Sequence, residues 1–458
     1  MSSLESTNRP AATLEAGTLA DLLERGAKGD GTDARFAPLT ARAFERAAEL
    51  GLPAKTDEAW RYTDPAPVIE TPCTIPEPGP FEGAASIDPL EIDTAAELVF
   101  IDGRFAPGLS RMPDAGLGLR VEPIDADSAH DSYDSHDSQD RQHPLTELAD
   151  RALADARDGF EALGASLLSQ GLLIHAPEGV EIDRPVAVTF RSTVAGGSTL
   201  TTPTVYVVAE KAASLHVVTD HQGEDGAQGL ALGRTELRAA TDARIEHTGI
   251  QRDPDTRRDV STTRVIQQTK SFVRSNRLLL GGALTRNNIH ATIEGDHCET
   301  ALNGVFAPVG TQHTDTDIRI EHMAPDCHSR QFYRGVLADR GRGVFTGRIY
   351  VRDIAQKTDA IQSNSNLLLA PTAQVTSKPQ LEIYADDVRC THGSTTGLID
   401  HDALFYLRSR GLTEKSARLL LLHAFAGECV DRIPHEPLRE LVRDMIFRRL
   451  DAALERSA

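Results

Sequence analysis

The residues best suited to chemistry in this sequence carry sulfur and imidazole. Cys390-Thr391-His392-Gly393 sets a thiol and an imidazole two positions apart, and in an extended strand residues at that spacing project from one face. A thiolate and an imidazole are a suitable ligand pair for iron or a nascent iron–sulfur cluster. Two ligands leave a cluster under-ligated, so the rest must come from elsewhere, and a second chain is the natural source. The same spacing also describes a buried cysteine beside a satisfied histidine at a strand end, and on spacing alone that plainer reading carries more weight. A second constellation is His313, Asp315, Asp317 and Arg319, which alternate with Thr314, Thr316, Ile318 and Ile320. Imidazole and hard oxygen ligands on one strand face would suit a divalent metal, but a solvated polar sheet face accounts for them as well and is favoured. Asp326-Cys327-His328-Ser329, the neighbours His297 and Cys298, and His290 carry the same pair of readings.

Several chemistries are missing from the sequence. It has no Gly-x-x-x-x-Gly-Lys-Ser/Thr phosphate loop, no Gly-x-Ser-x-Gly nucleophile elbow and no His-Glu-x-x-His metal motif. Gly341, Gly343 and Gly347 do not have dinucleotide-binding spacing. The five cysteines, Cys73, Cys298, Cys327, Cys390 and Cys429, are widely spaced and form no Cys-x-x-Cys pair, which argues against a structural zinc site or a redox dithiol. With no export signal in view, free thiols are the default.

Composition bounds the class. A hydrophobic fraction of 40% and a charged fraction of 25% over 458 residues suit a soluble protein with a substantial core. The net charge of −20 argues against general nucleic-acid binding, which needs a basic surface. The basic residues are mostly Arg. An acidic, Lys-poor surface fits a high-salt cytoplasm, although GC-biased codon usage has the same effect. The longest unbroken leucine run is Leu419 to Leu422, far short of the ~18 apolar residues a membrane span requires. The first twenty residues contain no secretory apolar core. We read the chain as cytoplasmic, with no membrane partner.

Elements must position these residues, and the periodicity supplies them. Leu19, Leu22, Leu23, Phe36, Leu39, Phe44 and Leu50 recur at helical intervals over residues 13–50. The proline-rich stretch 65–92 predicts an extended connection, followed by a strand at Leu98–Ile101 and a turn at Asp102-Gly103. Residues 124–143 are rich in Asp, Ser and His and predict a surface loop. Four or more carboxylates and three histidines there would hold cations loosely at best. A helix is expected over 144–169. From Gly171 to about Cys390, short alternating segments punctuated by Gly, Asn and Asp predict consecutive strands with no helix between them. Over ~220 residues this favours a β-solenoid over a sandwich, although no fixed repeat is visible. After Gly397 the helical period returns. Thr413 is placed to cap a helix whose face carries Ala417, Leu420, Leu421, Ala424 and Phe425, and Pro434 ends it. A second helix aligns Leu438, Leu441, Val442, Met445 and Ile446.

Longer motifs then point to a family. Lys378-Pro-Gln-Leu-Glu-Ile-Tyr-Ala-Asp-Asp-Val-Arg-Cys-Thr-His-Gly-Ser-Thr-Thr-Gly397 and Ala403-Leu-Phe-Tyr-Leu-Arg-Ser-Arg-Gly411 resemble the signature of SufD proteins. So do Ala355-Gln-Lys-Thr-Asp-Ala360, Asn366-Leu-Leu-Leu, His322-x-x-Pro-x-Cys-x-Ser-Arg-Gln331, Asp57-Glu-Ala-Trp-Arg-Tyr-Thr63 and Phe100-Ile-Asp-Gly103. Two departures stand out: Leu163-Gly164 where the family commonly has Leu-Asn, and the acidic stretch at 124–143. The related SufB subunit would instead be expected to show His-Glu-Ala-Thr where this chain has Cys-Thr-His-Gly-Ser-Thr.

The resemblance implies a mainly β fold: a right-handed parallel β-helix core (171–396) between an N-terminal helical region (1–170) and a C-terminal helical domain (397–458). It implies a non-catalytic scaffold subunit of the SufBCD iron–sulfur cluster assembly complex. That subunit would pair with a SufB-like chain through the β-helix and offer its C-terminal helices to a SufC-like ATPase, with sulfur arriving indirectly from a desulfurase system. His392 would face the partner and ligate a transient cluster or admit iron, with Cys390 in support and no tightly bound cofactor in the isolated chain. Leu404, Phe405, Tyr406, Arg410, Leu421 and Phe425 would meet the ATPase. In isolation the same β-helix surface could pair two copies of the chain. Two other classes stand beside this reading. One is a purely structural partner of SufB. The other is a polysaccharide-acting β-helix enzyme, which an aromatic content of 5% and a single tryptophan, Trp60, disfavour.

Overall fold

A computed structural model describes residues 17–27, 37–76, 79–124, 151–166 and 171–457. Strand follows strand in two stacked ladders. The first sheet runs in the order β2 (Arg104–Phe105), β1 (Ala96–Ile101), β5 (Val186–Ser192), β8 (Ser214–Gly223), β10 (Arg244–Arg252), β12 (Phe272–Leu279), β14 (Glu299–Phe306), β16 (His328–Leu337), β18 (Asp359–Leu368) and β20 (Arg389–Gly397). The second runs from β3 (Arg120–Ile124) through β4 (Gly171–Ala176), β7 (Thr204–Ala209), β9 (Gln228–Ala239), β11 (Arg257–Gln267), β13 (Leu284–Ile293), β15 (His313–His322) and β17 (Arg342–Val351) to β19 (Gln374–Ile383), with β6 (Ser198–Thr201) beside β9. The chain alternates between the sheets, and each strand pairs in parallel with the one a full turn earlier. This is the expected β-solenoid. The sheets begin before residue 171, because β1, β2 and β3 join them.

Each return to register depends on one corner. Ala212, Asp242, Lys270, His297, Asp326 and Lys357 all have φ between 55° and 60°, and each lies between a strand of the second sheet and the following strand of the first. The left-handed conformation costs about 1–2 kcal/mol for a residue with a Cβ. It is offset by a ladder in which each of these amides donates to a carbonyl of the next corner, as from Asp242 to Thr269, Lys270 to Asp296 and His297 to Pro325. The residue that follows is small and buried at each corner: Ala213, Ala243, Ser271, Cys298, Cys327 and Thr358. The corners are the repeat that the sequence hides.

The interior between the sheets is a stacked aliphatic core that includes Ile174, Val207, Leu237, Val265, Ile289 and Ile318, with polar rungs set into it. Arg277 is fully buried and donates to Asn287 Oδ1 at 3.1 Å. It occupies the space over Gly249, where a Cβ would lie 1.9 Å from the guanidinium.

Helical segments cover both outer faces. On the second sheet, Trp60 and Phe160 pack edge to face at 5.2 Å above Leu232, Val260 and Leu284. Around them lie α1 (Leu19–Ala27), α2 (Ala37–Leu50), the short α3 (Ala66–Ile69) and α4 (Gly159–Ser166). The segment 65–92 is therefore not wholly extended, since α3 interrupts it. The helix expected over 144–169 is broken at residues 155–158, where Asp158 accepts the amide of Glu161 at 3.0 Å and starts α4. Phe36, the acidic stretch from residue 125 on and the two ends of that expected helix lie outside the described residues.

On the first sheet sit α5 (His401–Ser409), α6 (Glu414–Val430) and α7 (Glu436–Ser457). Thr413 caps α6 by accepting the Ser416 amide at 3.2 Å. Leu422, Ala426, Cys429, Val430, Leu438, Val442, Ile446 and Leu450 are buried against Ile250, Leu278, Val305 and Val336, each large aliphatic contributing about 1.5–3 kcal/mol. The buried face of α6 differs from the expected one. Leu420 and Ala424 are exposed, and Leu421 and Phe425 are half-buried. A run of four leucines permits either face, and docking selects the one that Ala426, Cys429 and Val430 continue. Among the described residues, no helix is long and apolar enough to cross a membrane.

Three histidines, His216, His221 and His247, are buried in the first sheet. Burial foremost pushes His216 and His221 down to about 3, and His247 well below its ordinary value. They stay neutral when folded but take up protons near pH 6.5 when unfolded, so stability is fully present above about pH 6.5 and falls as pH drops toward 3. Each histidine is expected to add about 1.4 kcal/mol of loss per pH unit in that window. Urea midpoints compared at about pH 7 and about pH 4.5 check this, and H221Q should flatten the difference. Identical pH slopes for H221Q and the parent would sink it.

Candidate functional site

His392 and Cys390 lie on β20, the last strand of the first sheet, with only β18 beneath it. Cys390 is in register with Ala360 and His392 with Gln362, so both stand on the face that includes the buried Gln362, Asn364 and Asn366. The structure thus places the pair on one side, as strand alternation requires. Their surroundings differ. Cys390 is half-buried against the Ile349, Ala355 and Ala360 cluster, and burial, as the leading cause, raises its thiol above the ordinary value. His392 is exposed, and its side chain makes no hydrogen bond among the described residues.

Beneath His392 the interior is lined with amides. Gln362 donates to Gln331 Oε1 at 3.1 Å, while Gln362 Oε1 and Gln331 Nε2 are buried without partners. Gly347 in the facing sheet makes room for them, since a Cβ there would fall 1.5 Å from Gln362 Nε2. At the rim, Ser394 donates to Ser377 Oγ at 2.8 Å, and Ser377 donates to Asn364 Oδ1 at 2.9 Å, joining the two sheets. Gln331, Gln362, Asn364 and Ser377 are site-lining residues that sequence reasoning did not single out. The signal that finds them is strand register, which sequence does not print.

Among the described residues, nothing extends the sheets at this end of the solenoid. β19 and β20 present free edges of ten and nine residues, with Tyr384 and Ile361 exposed nearby. Such edges are templates for pairing with another chain. The opposite end is closed by the two-residue β2, antiparallel to β1, and by β3, antiparallel to β4 and interrupted by Pro123.

The other sequence candidates fall elsewhere. The face of β15 bearing His313, Asp315, Asp317 and Arg319 is only partly solvated: Asp315 is buried and the other three are half-buried. It is covered by the Asp57–Thr63 segment: Thr63 Oγ1 lies 2.8 Å from His313 Nε2 and also donates to Asp315. Arg286 holds Asp315 at 2.5 Å and Asp317 at 3.2 Å and lies 4.6 Å from the Trp60 ring. The expected solvated face is thus partly covered, because a segment more than two hundred residues earlier folds over it. Cys298 and Cys327 fill the small-residue position at successive corners and are fully buried. His297 is the left-handed residue before Cys298. Among the described residues, no three His, Cys, Asp or Glu side chains gather as a metal site would require.

Of the residues expected to meet an ATPase, Leu404 packs inward. Phe405 and Tyr406 are 75% and 57% exposed, and the Arg410 guanidinium lies 5.1 Å from the Tyr406 ring. Leu421 and Phe425 are half-buried against the core under α6. The outward patch is therefore Phe405, Tyr406 and Arg410, together with the exposed Leu420.

The family model described as "SUF system FeS cluster assembly, SufBD core domain" matches residues 190–425, which span most of the solenoid and the helices through Phe425. The iron–sulfur cluster assembly protein SufD of Escherichia coli is 29% identical over 419 residues, covering 90% of this chain and 93% of the relative. An iron–sulfur cluster assembly SufBD family protein of Synechocystis is 28% identical, covering 87% of each chain. A chloroplastic protein of Arabidopsis thaliana is 26% identical, covering 86% of this chain and 82% of its own.

Cys390 is the one cysteine of the five that is not buried. Native-state alkylation should therefore modify a single thiol per chain, slowly at neutral pH because its pKa is raised and faster as pH increases. Cys390→Ser should abolish it. Labelling that persists in the variant at the same rate would overturn this assignment.

Proposed function

The chain belongs to the SufBD core family of the SUF iron–sulfur cluster assembly system, and we propose that it serves there as a SufD-like scaffold subunit. In this reading its open solenoid end pairs with a SufB-like partner, and His392 helps hold a nascent cluster or incoming iron at the junction. The observation that carries it is the placement of His392: exposed, without an internal partner, on the terminal edge strand and above an amide-lined mouth. An imidazole in that position is available to a metal brought by, or shared with, another chain. The cluster is cargo, not a resident cofactor. One ligand from each subunit leaves coordination positions open for sulfide, iron and the eventual acceptor, whereas a site completed by one chain would release its cluster reluctantly. The raised, half-buried thiol of Cys390 supports a secondary role for that residue.

The C-terminal helices take a SufC-like ATPase on the Phe405, Tyr406 and Arg410 patch. ATP hydrolysis belongs to that partner and cluster assembly to the complex, so this chain acts as a non-catalytic subunit in the cytoplasm, with sulfur arriving from a desulfurase system. Because α6 is tied to the solenoid by Arg334 and Glu428 at 2.6 Å, movement of the attached ATPases would be transmitted to the first sheet as a rigid-body shift.

Anaerobic cluster reconstitution on the co-expressed complex tests the His392 role. His392→Ala should leave the complex intact by size exclusion but remove most of the visible absorbance of the cluster. Normal cluster formation in that variant would make this chain a purely structural partner. On the helical domain, Phe405→Glu combined with Tyr406→Ala should weaken ATPase binding by at least about thirtyfold, as loss of an interface hot spot does, while solenoid pairing survives. Unchanged co-purification of the ATPase would place its docking surface elsewhere.

A further inference from the structure

A cleft of about 370 Å³ opens on the outer face of the second sheet, between β13, β15 and β17 and the segments that carry Trp60 and Glu161. It lies apart from β20 and from the C-terminal helices. We propose that this cleft is a binding site for a small oxyanion, a phosphate or a carboxylate, held between Arg157 and Arg319 and oriented by His290.

The strand register gives the first reason. Arg264, His290, Arg319 and Arg348 occupy one lateral row on β11, β13, β15 and β17. Basic groups directly opposite one another on neighbouring strands repel unless each is neutralised. The two ends of the row are neutralised: Arg264 by Glu161 at 3.0 Å and Arg348 by Glu382 at 3.3 Å. The middle is not. The only carboxylate within salt-bridge reach of Arg319 among the described residues is Glu321 at 3.7 Å, and Glu321 already accepts from Arg352 Nε at 2.9 Å.

Unused hydrogen-bonding capacity gives the second reason. Arg319 Nε is buried with no hydrogen-bond partner. His290 is 7% exposed, lines the cleft, and its Nδ1 also lacks a hydrogen-bond partner. The nearest carboxylate oxygen to that nitrogen, on Glu161, is 3.8 Å away, beyond bonding distance. Buried polar atoms of native proteins are normally satisfied, and each orphan calls for an explanation such as a bound ligand.

Arg157 completes the site from the opposite wall. Its side chain forms no ion pair among the described residues; partial burial first, and then the positive fields of Arg319 and Arg264, lower its pKa, against the weaker opposing fields of Glu161 and Asp317. The six carboxylates that also line the cleft have other work: Asp315 and Asp317 hold Arg286, Glu161 holds Arg264, Glu58 holds Lys378, Asp57 accepts the Ala54 amide, and Asp158 caps α4. What remains is two guanidinium groups and an imidazole lining one cavity. Guanidinium pairs hold planar carboxylates and phosphates through charge-assisted, bidentate hydrogen bonds.

Isothermal titration of the full chain with sodium phosphate and, separately, sodium malonate, against sodium chloride at matched ionic strength, tests this. A saturable heat with either anion is expected, and the arm that gives it identifies phosphate or carboxylate as the ligand chemistry. Arg157→Gln and Arg319→Gln should each weaken it by at least about tenfold, the loss of one charged hydrogen-bond donor. Arg157 is exposed, so its variant should keep the parent circular dichroism and melting temperature. No saturable binding of either anion, or binding by both variants as tight as that of the parent, overturns the proposal.

Discussion

A solenoid stands or falls on register. Each turn must bring the chain back about 4.8 Å above the last with its hydrogen-bonding groups in phase, and here that condition is met at a single recurring corner. The left-handed residue there turns the chain from the second sheet to the first, its amide bonds to the following corner, and the small residue after it lets successive corners stack closely. The left-handed residue is exposed or half-buried at every corner, so Ala, Asp, Lys and His serve there alike. The position after it is constrained by size alone, and Ala, Ser, Cys and Thr share it. Cys298 and Cys327 are thus explained by volume before any redox or metal role needs to be considered.

Once the corners set the ladder, the rest of the chain is placed by the need to bury two outer faces. Parallel sheets are ordinarily covered on both sides, and the N-terminal and C-terminal segments divide the task. The Asp57–Thr63 segment lies on the second sheet through Trp60, with Arg286 sandwiched between that ring and two aspartates. Lys378 on β19 reaches back to Glu58 at 2.8 Å, so a residue early in the chain braces the strand next to the open end. Across the molecule, α6 and α7 seal the first sheet. Among the described residues neither segment covers the terminal rung, and that is where His392 stands. Its exposure follows from the order in which the faces are covered.

Local signals were readable in the sequence where they act over a few residues. Asp102 and Gly103 form the turn that their identities indicate, both with positive φ, and Thr413 caps the helix it precedes. Alternation through Thr204–Val208 and Asp317–Glu321 identified strands, and the long motif around His392 carried both the family resemblance and the residue to watch. Features that depend on stacking were hidden. The corner repeat has no consensus residue, because its left-handed positions are chemically unrelated and none is glycine. The polar face of β15 looked solvated because nothing near it in sequence announces that Thr63 and Trp60 will cover it. Leu419 to Leu422 offered α6 two apolar faces, and only the surface of the first sheet decides between them. Gln331 and Gln362 lie thirty-one positions apart and become neighbours only through register.

The unequal ends of the solenoid have a consequence for stoichiometry. A stack of identical rungs with both ends available would grow without limit, as a linear polymer does from a bifunctional monomer. Here one end is blunted by a two-residue antiparallel strand and by Pro123, while the other offers two long, unpaired edges. Among the described residues the chain thus offers one pairing end. Two such ends joined face to face would consume both edges at once and stop growth at the pair. A fold whose repetition would otherwise favour fibres would then be confined to a discrete pair, with the terminal rungs of its two members enclosed between them.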